Sequence, residues 1–314
     1  MRENEIIGHK QIREYFRNAI TRGDLSHAHL IIGEEGIGKS LLAKAAAIQI
    51  LGKEEIKQYI DIIEFRVPKG KKTIGVDEIR SIIEEVSKRP YEGDKKVVIL
   101  YESNRMTPQA QNAFLKTIEE PPVGVFIFLL ADNGEAILDT IKSRCQIHKL
   151  NSLHSAEMEQ FISKRFPELS PEESKTLLAF ANGIPGRCEY FIENEEFKEI
   201  RNTTAMLLMD IHKSSESKLQ DYTKFLLKYK DRSDEVFDTI LSFTRDIIIY
   251  KDSNKMELVV NKDKQDFILE VSENFSYNSL EQIVKAVNYA RNSLSSNVNP
   301  ALTFDVMLIT MLNS

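Results

Sequence analysis

From residue 1 to about residue 150, short apolar runs alternate with stretches whose apolar positions recur every three to four residues. This is the pattern of strands joined by crossover helices around a parallel sheet. The runs predict strands at Ala28–Ile32, Asp61–Phe65, Lys96–Tyr101, Val125–Ala131 and Gln146–Leu150, each bounded by Gly, Pro, Asp or Asn. Between them, Val76–Lys88 reads as a helix. A second helix opens with Thr107 as N-cap and Pro108 at its first position and runs to Glu120, where Pro121-Pro122 stops it. Beyond Leu150 the strand signal is lost. Ser170-Pro171-Glu172-Glu173 combines an N-cap, a proline at N1 and a capping-box glutamate. Further on, Val236, Phe237, Ile240, Leu241, Ile247 and Ile248 share one helical face, as do Ile283, Val284, Val287 and Leu294, and Ser279 with Gln282 reads as another capping box. The predicted fold class is α/β followed by all-α: a parallel-sheet domain over 1–150, a small helical domain over 151–203 and a helical bundle over 204–314.

Composition narrows the class without deciding it. The chain has 314 residues, 42% hydrophobic and 29% charged, which is enough for two or three buried cores. A formal net charge of -6 argues against a protein that coats nucleic acid through bulk charge, though a local basic face remains open. Two cysteines, Cys145 and Cys188, exclude a disulfide framework or a Cys-rich zinc module and suit a reducing compartment. The charged start MRENEIIGHK has no apolar h-region, and no run approaches a membrane span. The expected location is the cytoplasm, away from membranes.

One segment carries chemistry on its face. Leu30-Ile31-Ile32-Gly33-Glu34-Glu35-Gly36-Ile37-Gly38-Lys39-Ser40 is a strand running into G-x-x-x-x-G-K-S, followed by a helix predicted over Leu41–Leu51. Gly33, Gly36 and Gly38 let backbone N–H groups curl around phosphate oxygens. Lys39 bridges the outer phosphates, Ser40 ligates Mg²⁺, and the helix N-terminus adds positive potential. The alternative is a glycine-rich turn with a chance lysine, against which the strand-loop-helix context speaks. A hydrolase of this kind also needs a carboxylate at the end of a later buried strand and usually a second acid to polarise water. Here the strand ends Val97-Val98-Ile99-Leu100-Tyr101-Glu102. If Tyr101 takes the magnesium position, a neutral phenol stands where an acid is needed, and Glu102 is the residual second carboxylate. If Glu102 takes it, nothing remains for water. In either register the site is one acid short, so the chain's own ATPase activity is expected to be weak or absent.

The run Asn112-Ala113-Phe114-Leu115-Lys116-Thr117-Ile118-Glu119-Glu120-Pro121-Pro122 resembles the N-A-L-L-K-x-L-E-E-P-P signature of bacterial clamp-loader subunits, and its distance from Glu102 matches that family's spacing, which puts Tyr101 at the lost aspartate. Ile7-Gly8-His9, Ser26-His27-Ala28-His29, Ser143-Arg144-Cys145 and Asn297-Val298-Asn299-Pro300 resemble the same family. The resemblance is to the delta-prime type of the DNA polymerase III clamp loader. It implies an AAA+ phosphate-loop domain, a helical lid and a helical collar. It implies ATP and Mg²⁺ as ligands the loop could take. Its partners would be gamma/tau-type and delta-type subunits in a hetero-pentamer, the sliding clamp and primed DNA. The chain would then be a component of the DNA polymerase III holoenzyme, not itself a polymerase.

The resemblance also implies residue roles. Arg144 would be an arginine finger reaching the ATP of a neighbouring subunit, a task suited to an always-charged planar fork. Arg187, in Gly183-Ile184-Pro185-Gly186-Arg187, sits where the family places its second sensor and could contact phosphates, or be an exposed arginine after a structural cap. The first-sensor region corresponds to Asp132-Asn133, with Asn133 as the residue carried over, in a loop that reads one residue shorter than in the ATPase subunits. Lys69, Lys71, Lys72, Arg80 and Lys88 are candidate DNA-phosphate contacts, the alternative being a solvated face. The hydrolysing members carry a four-cysteine zinc module, whereas residues 52–75 hold no cysteine, so no structural metal is expected. Two other readings stay open: a catalytically active AAA+ ATPase of gamma/tau type, and a small-molecule kinase, for which no lid or substrate motif is found.

Overall fold

The computed structural model describes residues 6–55, 57–68, 70–212, 218–296 and 298–313. Lys69 and Asn297 lie outside the described residues. The elements in chain order are α1 (Lys10–Arg22), β1 (Ala28–Ile32), α2 (Lys39–Ile50), β2 (Ile62–Phe65), α3 (Val76–Ser87), β3 (Lys96–Leu100), α4 (Pro108–Glu119), β4 (Val125–Ala131), α5 (Asp139–Lys142), β5 (Gln146–Lys149), α6 (Ser155–Arg165), α7 (Pro171–Ala181), α8 (Pro185–Glu193), α9 (Glu195–His212), α10 (Leu219–Lys228), α11 (Ser233–Ser253), α12 (Gln265–Asn274), α13 (Tyr277–Ser295) and α14 (Pro300–Leu312). They form two compact units, Met1–Arg165 with Asn182–Gly186, and Phe166–Ala181 with Arg187–Ser314. The boundary anticipated at 203/204 falls inside the continuous helix α9.

In the first unit five parallel strands lie in the order β2-β3-β4-β1-β5. Strands β3 and β4 are covered on both faces, which is why they read as unbroken apolar runs and not as alternation. On one face Leu30, Val98, Leu100, Ile127 and Leu129 pack with Ile79, Ile82, Phe114 and Ile118 of α3 and α4. Residues β1 and β4 have the predicted bounds, and α3 ends one residue early. The strand expected from Asp61 begins at Ile62, because the buried Asp61 carboxylate turns aside to accept the Tyr91 and Glu92 N–H groups at 2.7 and 2.9 Å. The α4 start is as read: Thr107 Oγ1 accepts from the Ala110 N–H and Pro108 occupies N1.

The second unit is helical. Ser170 and Glu173 form the predicted reciprocal box. Val236, Phe237, Ile240 and Ile247 of α11 pack with Ile283 and Val287 of α13 and with Phe304, Met307 and Leu308 of α14 in one core. The capping box expected at Ser279 does not start a helix. Helix α13 begins two residues earlier, capped by Ser276, whose hydroxyl accepts the Ser279 N–H. Asn299 and Pro300 act as cap and first residue of α14. Buried polar groups tie α9 and α11 to the segment before α12. Arg201 donates to Asn261 and to both oxygens of Asp263, while Asn261 donates to Asp246. No helix among the described residues is long and apolar enough to cross a membrane.

Candidate functional site

The phosphate loop leaves the carboxyl end of β1, and Gly33, Gly36, Gly38, Lys39 and Ser40 come together there as the sequence implies. Gly38 adopts φ 108° and starts α2 from the left-handed region, which an L side chain resists. Gly36 sits at φ 82°, and a Cβ there would lie 3.1 Å from the Gly186 Cα. In return the Gly186 N–H donates to the Gly36 carbonyl at 2.9 Å. The Gly183–Arg187 motif was read for its arginine, yet it is Gly186 that meets the loop, a contact open only to two residues without side chains. Arg187 itself belongs to the second unit, on α8.

Lys39 folds onto its own loop. Its ammonium donates to the Gly33 and Glu34 carbonyls at 2.7 and 2.9 Å and to Asp132 Oδ1 at 2.6 Å. Asp132 follows β4, the strand beside β1, and its N–H donates to Asn104 Oδ1. Asn133, the residue carried over as a sensor, instead turns its side chain to the Glu135 N–H of the same loop. Of the two residues in this region, the side chain that reaches the loop lysine is Asp132. Gln111 holds this loop in place. Its amide nitrogen donates to the Met106 and Ala136 carbonyls, and its oxygen accepts the Leu138 N–H. Beside the loop, His9 Nε2 lies 3.1 Å from the Ile37 carbonyl oxygen. Glu34, Ile37, Leu150, Asn151 and Ser152 line a cavity of about 360 Å³.

At the end of β3 a network of polar side chains surrounds Tyr101. Tyr101 is buried and its hydroxyl donates to Glu64 Oε2 at 2.8 Å. Burial and the neighbouring Glu64 push its pKa further above the ordinary phenol value, so it stays neutral. Glu64 also pairs with Lys44 of α2 at 2.9 Å, and the Arg66 guanidinium lies 3.6 Å from the Tyr101 ring centre. Burial alone would raise the Glu64 pKa, but hydrogen bonds from Lys44 and Tyr101 outweigh it and hold the carboxyl below its usual value. Glu102 stands in the left-handed region at φ 49° and pairs with Arg105 at 3.2 Å. A non-glycine residue in that conformation costs on the order of 1 kcal/mol and marks a position where the surrounding structure overrides local preference.

Arg144 is at the other end of the sheet. Strand β5 runs parallel to β1 with Gln146 opposite His29 and Lys149 opposite Ile32, so Arg144 precedes the amino end of β5 while Gly33 follows the carboxyl end of β1. At about 3.3 Å per residue the four steps from His29 to Gly33 alone span about 13 Å. Arg144 Nε donates to Glu119 Oε2 at 2.7 Å, and its Nη1 donates to the Thr140 carbonyl at 3.1 Å. Cys145 packs into the sheet core, where burial pushes its thiol up to about 12, and so anchors the arginine's backbone. His27 meets the Ile118 carbonyl at 3.0 Å, so two motifs distant in sequence meet here beside Glu119.

The proposed DNA set is occupied by acids. Lys71 pairs with Glu78, Arg80 with Asp77 and Lys88 with Glu85, while Lys72 is exposed. Glu78 also caps α3 by accepting the Gly75 N–H. Exposed pairs of this kind are worth at most about 1 kcal/mol and can be exchanged for phosphate.

Two family models match the chain: one described as DNA polymerase III, delta subunit, over residues 8–154, and one described as DNA polymerase III, delta subunit, C terminal, over residues 196–312. The DNA polymerase III subunit delta' of Bacillus subtilis is 26% identical over 309 residues, spanning 92% of this chain and 92% of its own. The DNA polymerase III subunit gamma of Buchnera aphidicola is 25% identical over 346 residues, spanning 97% and 93%. Among solved structures, a gamma-subunit-related protein from Thermotoga maritima superposes with a TM-score of 0.50 at 21% identity, over 96% of this chain and 98% of that one, a likeness of fold.

Proposed function

Since the chain belongs to the delta-prime-type clamp-loader subunits of DNA polymerase III, an AAA+ family, we propose that its task is to complete a neighbour's ATPase site and not to run its own. The observation that carries this reading is the placement of Arg144. It is half-buried at the amino end of β5, away from the chain's own phosphate loop and paired with Glu119, so a phosphate that its guanidinium met would be held by another molecule. An always-charged fork in that position supplies the charge that develops on a transferring phosphoryl group. Tyr101 is consistent with it, because a subunit that lends its finger has no need of its own metal-binding acid. Nucleotide at the Gly33–Ser40 loop, with ATP as the ligand, then serves to hold the subunit's shape.

In this reading the partners are gamma/tau-type and delta-type subunits in a five-membered ring, and the assembly places the sliding clamp on primed DNA. Lys71 and Arg80 would meet DNA phosphate by exchanging their present acids, and Lys72 would meet it directly. The helical unit would join the subunits: α14 leaves Leu302, Val306 and Ile309 exposed at positions i, i+4 and i+7, a stripe suited to a neighbouring subunit's helix.

The test is steady-state phosphate release by the reconstituted loader with Arg144→Ala in this chain. Turnover is expected to fall about 10³-fold, the low end for arginine fingers, with the variant's circular dichroism unchanged. Unchanged turnover would remove the finger. Turnover by the isolated chain, abolished by Lys39→Ala, would make it a motor of gamma/tau type.

A further inference from the structure

A charged network extends from the helix that follows the phosphate loop. Ser40 and Lys44 are one turn apart on α2 and leave the same face of the helix. The Lys44 ammonium reaches Glu64 Oε1, Glu64 Oε2 accepts the Tyr101 hydroxyl, and Arg66 stacks on the Tyr101 ring with a guanidinium nitrogen 3.9 Å from Glu64. The network therefore runs from the face of Ser40 to the position where a hydrolase keeps its metal-holding aspartate.

Magnesium needs oxygen ligands at about 2.0–2.1 Å in near-ideal octahedral geometry, usually one or two carboxylates beside phosphate and water. The carboxylates here are committed elsewhere: Glu64 to Lys44 and Tyr101, Asp132 to Lys39, and Glu102 to Arg105. The phenol in the aspartate's place is neutral and its proton points at Glu64. The donor set does not fit a divalent ion. Lys44 and Arg66 with Glu64 sum to one positive charge, the same as a magnesium ion with one aspartate.

We propose that the phosphate loop takes a nucleoside polyphosphate as the metal-free anion, with Lys44 and Arg66 in the electrostatic role that magnesium fills in hydrolysing relatives of the fold. The proposal rests on the reading of Gly33–Ser40 as a nucleotide site and deepens it. It also gives Tyr101 a purpose beyond loss of activity: it is the neutral pivot that holds the acid and the guanidinium together.

The experiment is calorimetric titration of the full chain with ATP, once in excess EDTA and once in excess MgCl₂. Binding is expected in EDTA at least as tight as in magnesium. Lys44→Ala, on the half-exposed face of α2, is expected to weaken the EDTA value roughly tenfold, the order of one charged hydrogen bond. Tyr101→Asp, checked for folding by circular dichroism, is expected to make binding strengthen on adding magnesium, since it returns the missing ligand. Binding in magnesium that vanishes in EDTA would overturn the metal-free site while leaving the nucleotide reading intact. Absence of binding in both buffers would instead refute the nucleotide reading, and the proposal with it. An unchanged EDTA affinity in Lys44→Ala would refute the role given to that side chain.

Discussion

Two histidines in the sheet make the α/β unit acid-sensitive, and the size of the effect follows from their surroundings. His29 on β1 and His148 on β5 place ring nitrogens 3.1 Å apart. Phe128 stacks on His29 with centroids 4.9 Å apart, and Phe16 stands 5.1 Å from one ring and 4.7 Å from the other. His29 is fully buried and its Nε2 has no hydrogen-bond partner, so a second proton there would gain no acceptor. Burial, then the nearness of His148, lowers His29 from 6.5 to about 3, and burial lowers His148 to about 4. The unfolded chain takes up protons as pH falls through 6.5, whereas the folded chain refuses them until pH 3–4. Stability is therefore full above pH 6.5 and is lost as pH falls below it. At pH 5, 1.5 units below 6.5, each ring costs about 2 kcal/mol at 1.36 kcal/mol per unit. The two together cost up to about 4 kcal/mol, a large part of an ordinary stability. The assay is urea unfolding of the α/β unit at pH 7 and pH 5, with and without His29→Leu. The wild-type midpoint should drop between the two values, and the drop should shrink by about 2 kcal/mol in the variant. His9, also lowered mainly by burial, adds to the drop in both proteins and cancels in the comparison. A wild-type midpoint indifferent to this change, or an equal drop in His29→Leu, would refute the reasoning.

In the helical unit, Arg201→Leu is expected to cost about 3–5 kcal/mol. It leaves the buried Asn261 oxygen and Asp263 without their donor and removes the guanidinium from the Phe191 and Phe243 rings, 4.6 and 5.3 Å away. Urea unfolding measures it, and a loss below about 1 kcal/mol would show that the pair is replaceable by packing. At the finger, Glu119→Ala should lower loader turnover roughly tenfold by freeing Arg144, while Glu119→Gln, which keeps an acceptor within reach, should recover most of it. Equal turnover in the two variants would mean that Glu119 does not orient the arginine.

Much of this is legible in the chain before folding. Apolar runs set β1 and β4 to the residue because both faces of those strands are covered, and the Thr107-Pro108 cap acts through neighbours in sequence. Local signals fail where two candidates compete, as at Ser276 and Ser279. The phosphate loop was readable because its residues are consecutive. The Lys44–Glu64–Tyr101–Arg66 network was not, since it joins a helix to two strands through side chains that look like ordinary surface charges. The division of labour between Asp132 and Asn133 was not legible for the same reason. Which of two adjacent polar residues faces the loop depends on the last residues of β4, and no periodicity reports that.

The phosphate loop at the carboxyl ends of the strands and Arg144 at the amino end give the α/β unit a head and a tail. If Arg144 meets a neighbour of the same build as proposed, that neighbour presents its head to this tail, so the contact joins two different surfaces and leaves one of each kind free on the outer sides. Contacts of that sort propagate until a ring closes or a subunit of another shape ends the series. On the role proposed for Arg144, the direction of the five parallel strands would set an order of succession among subunits, in which this chain has one neighbour that it serves.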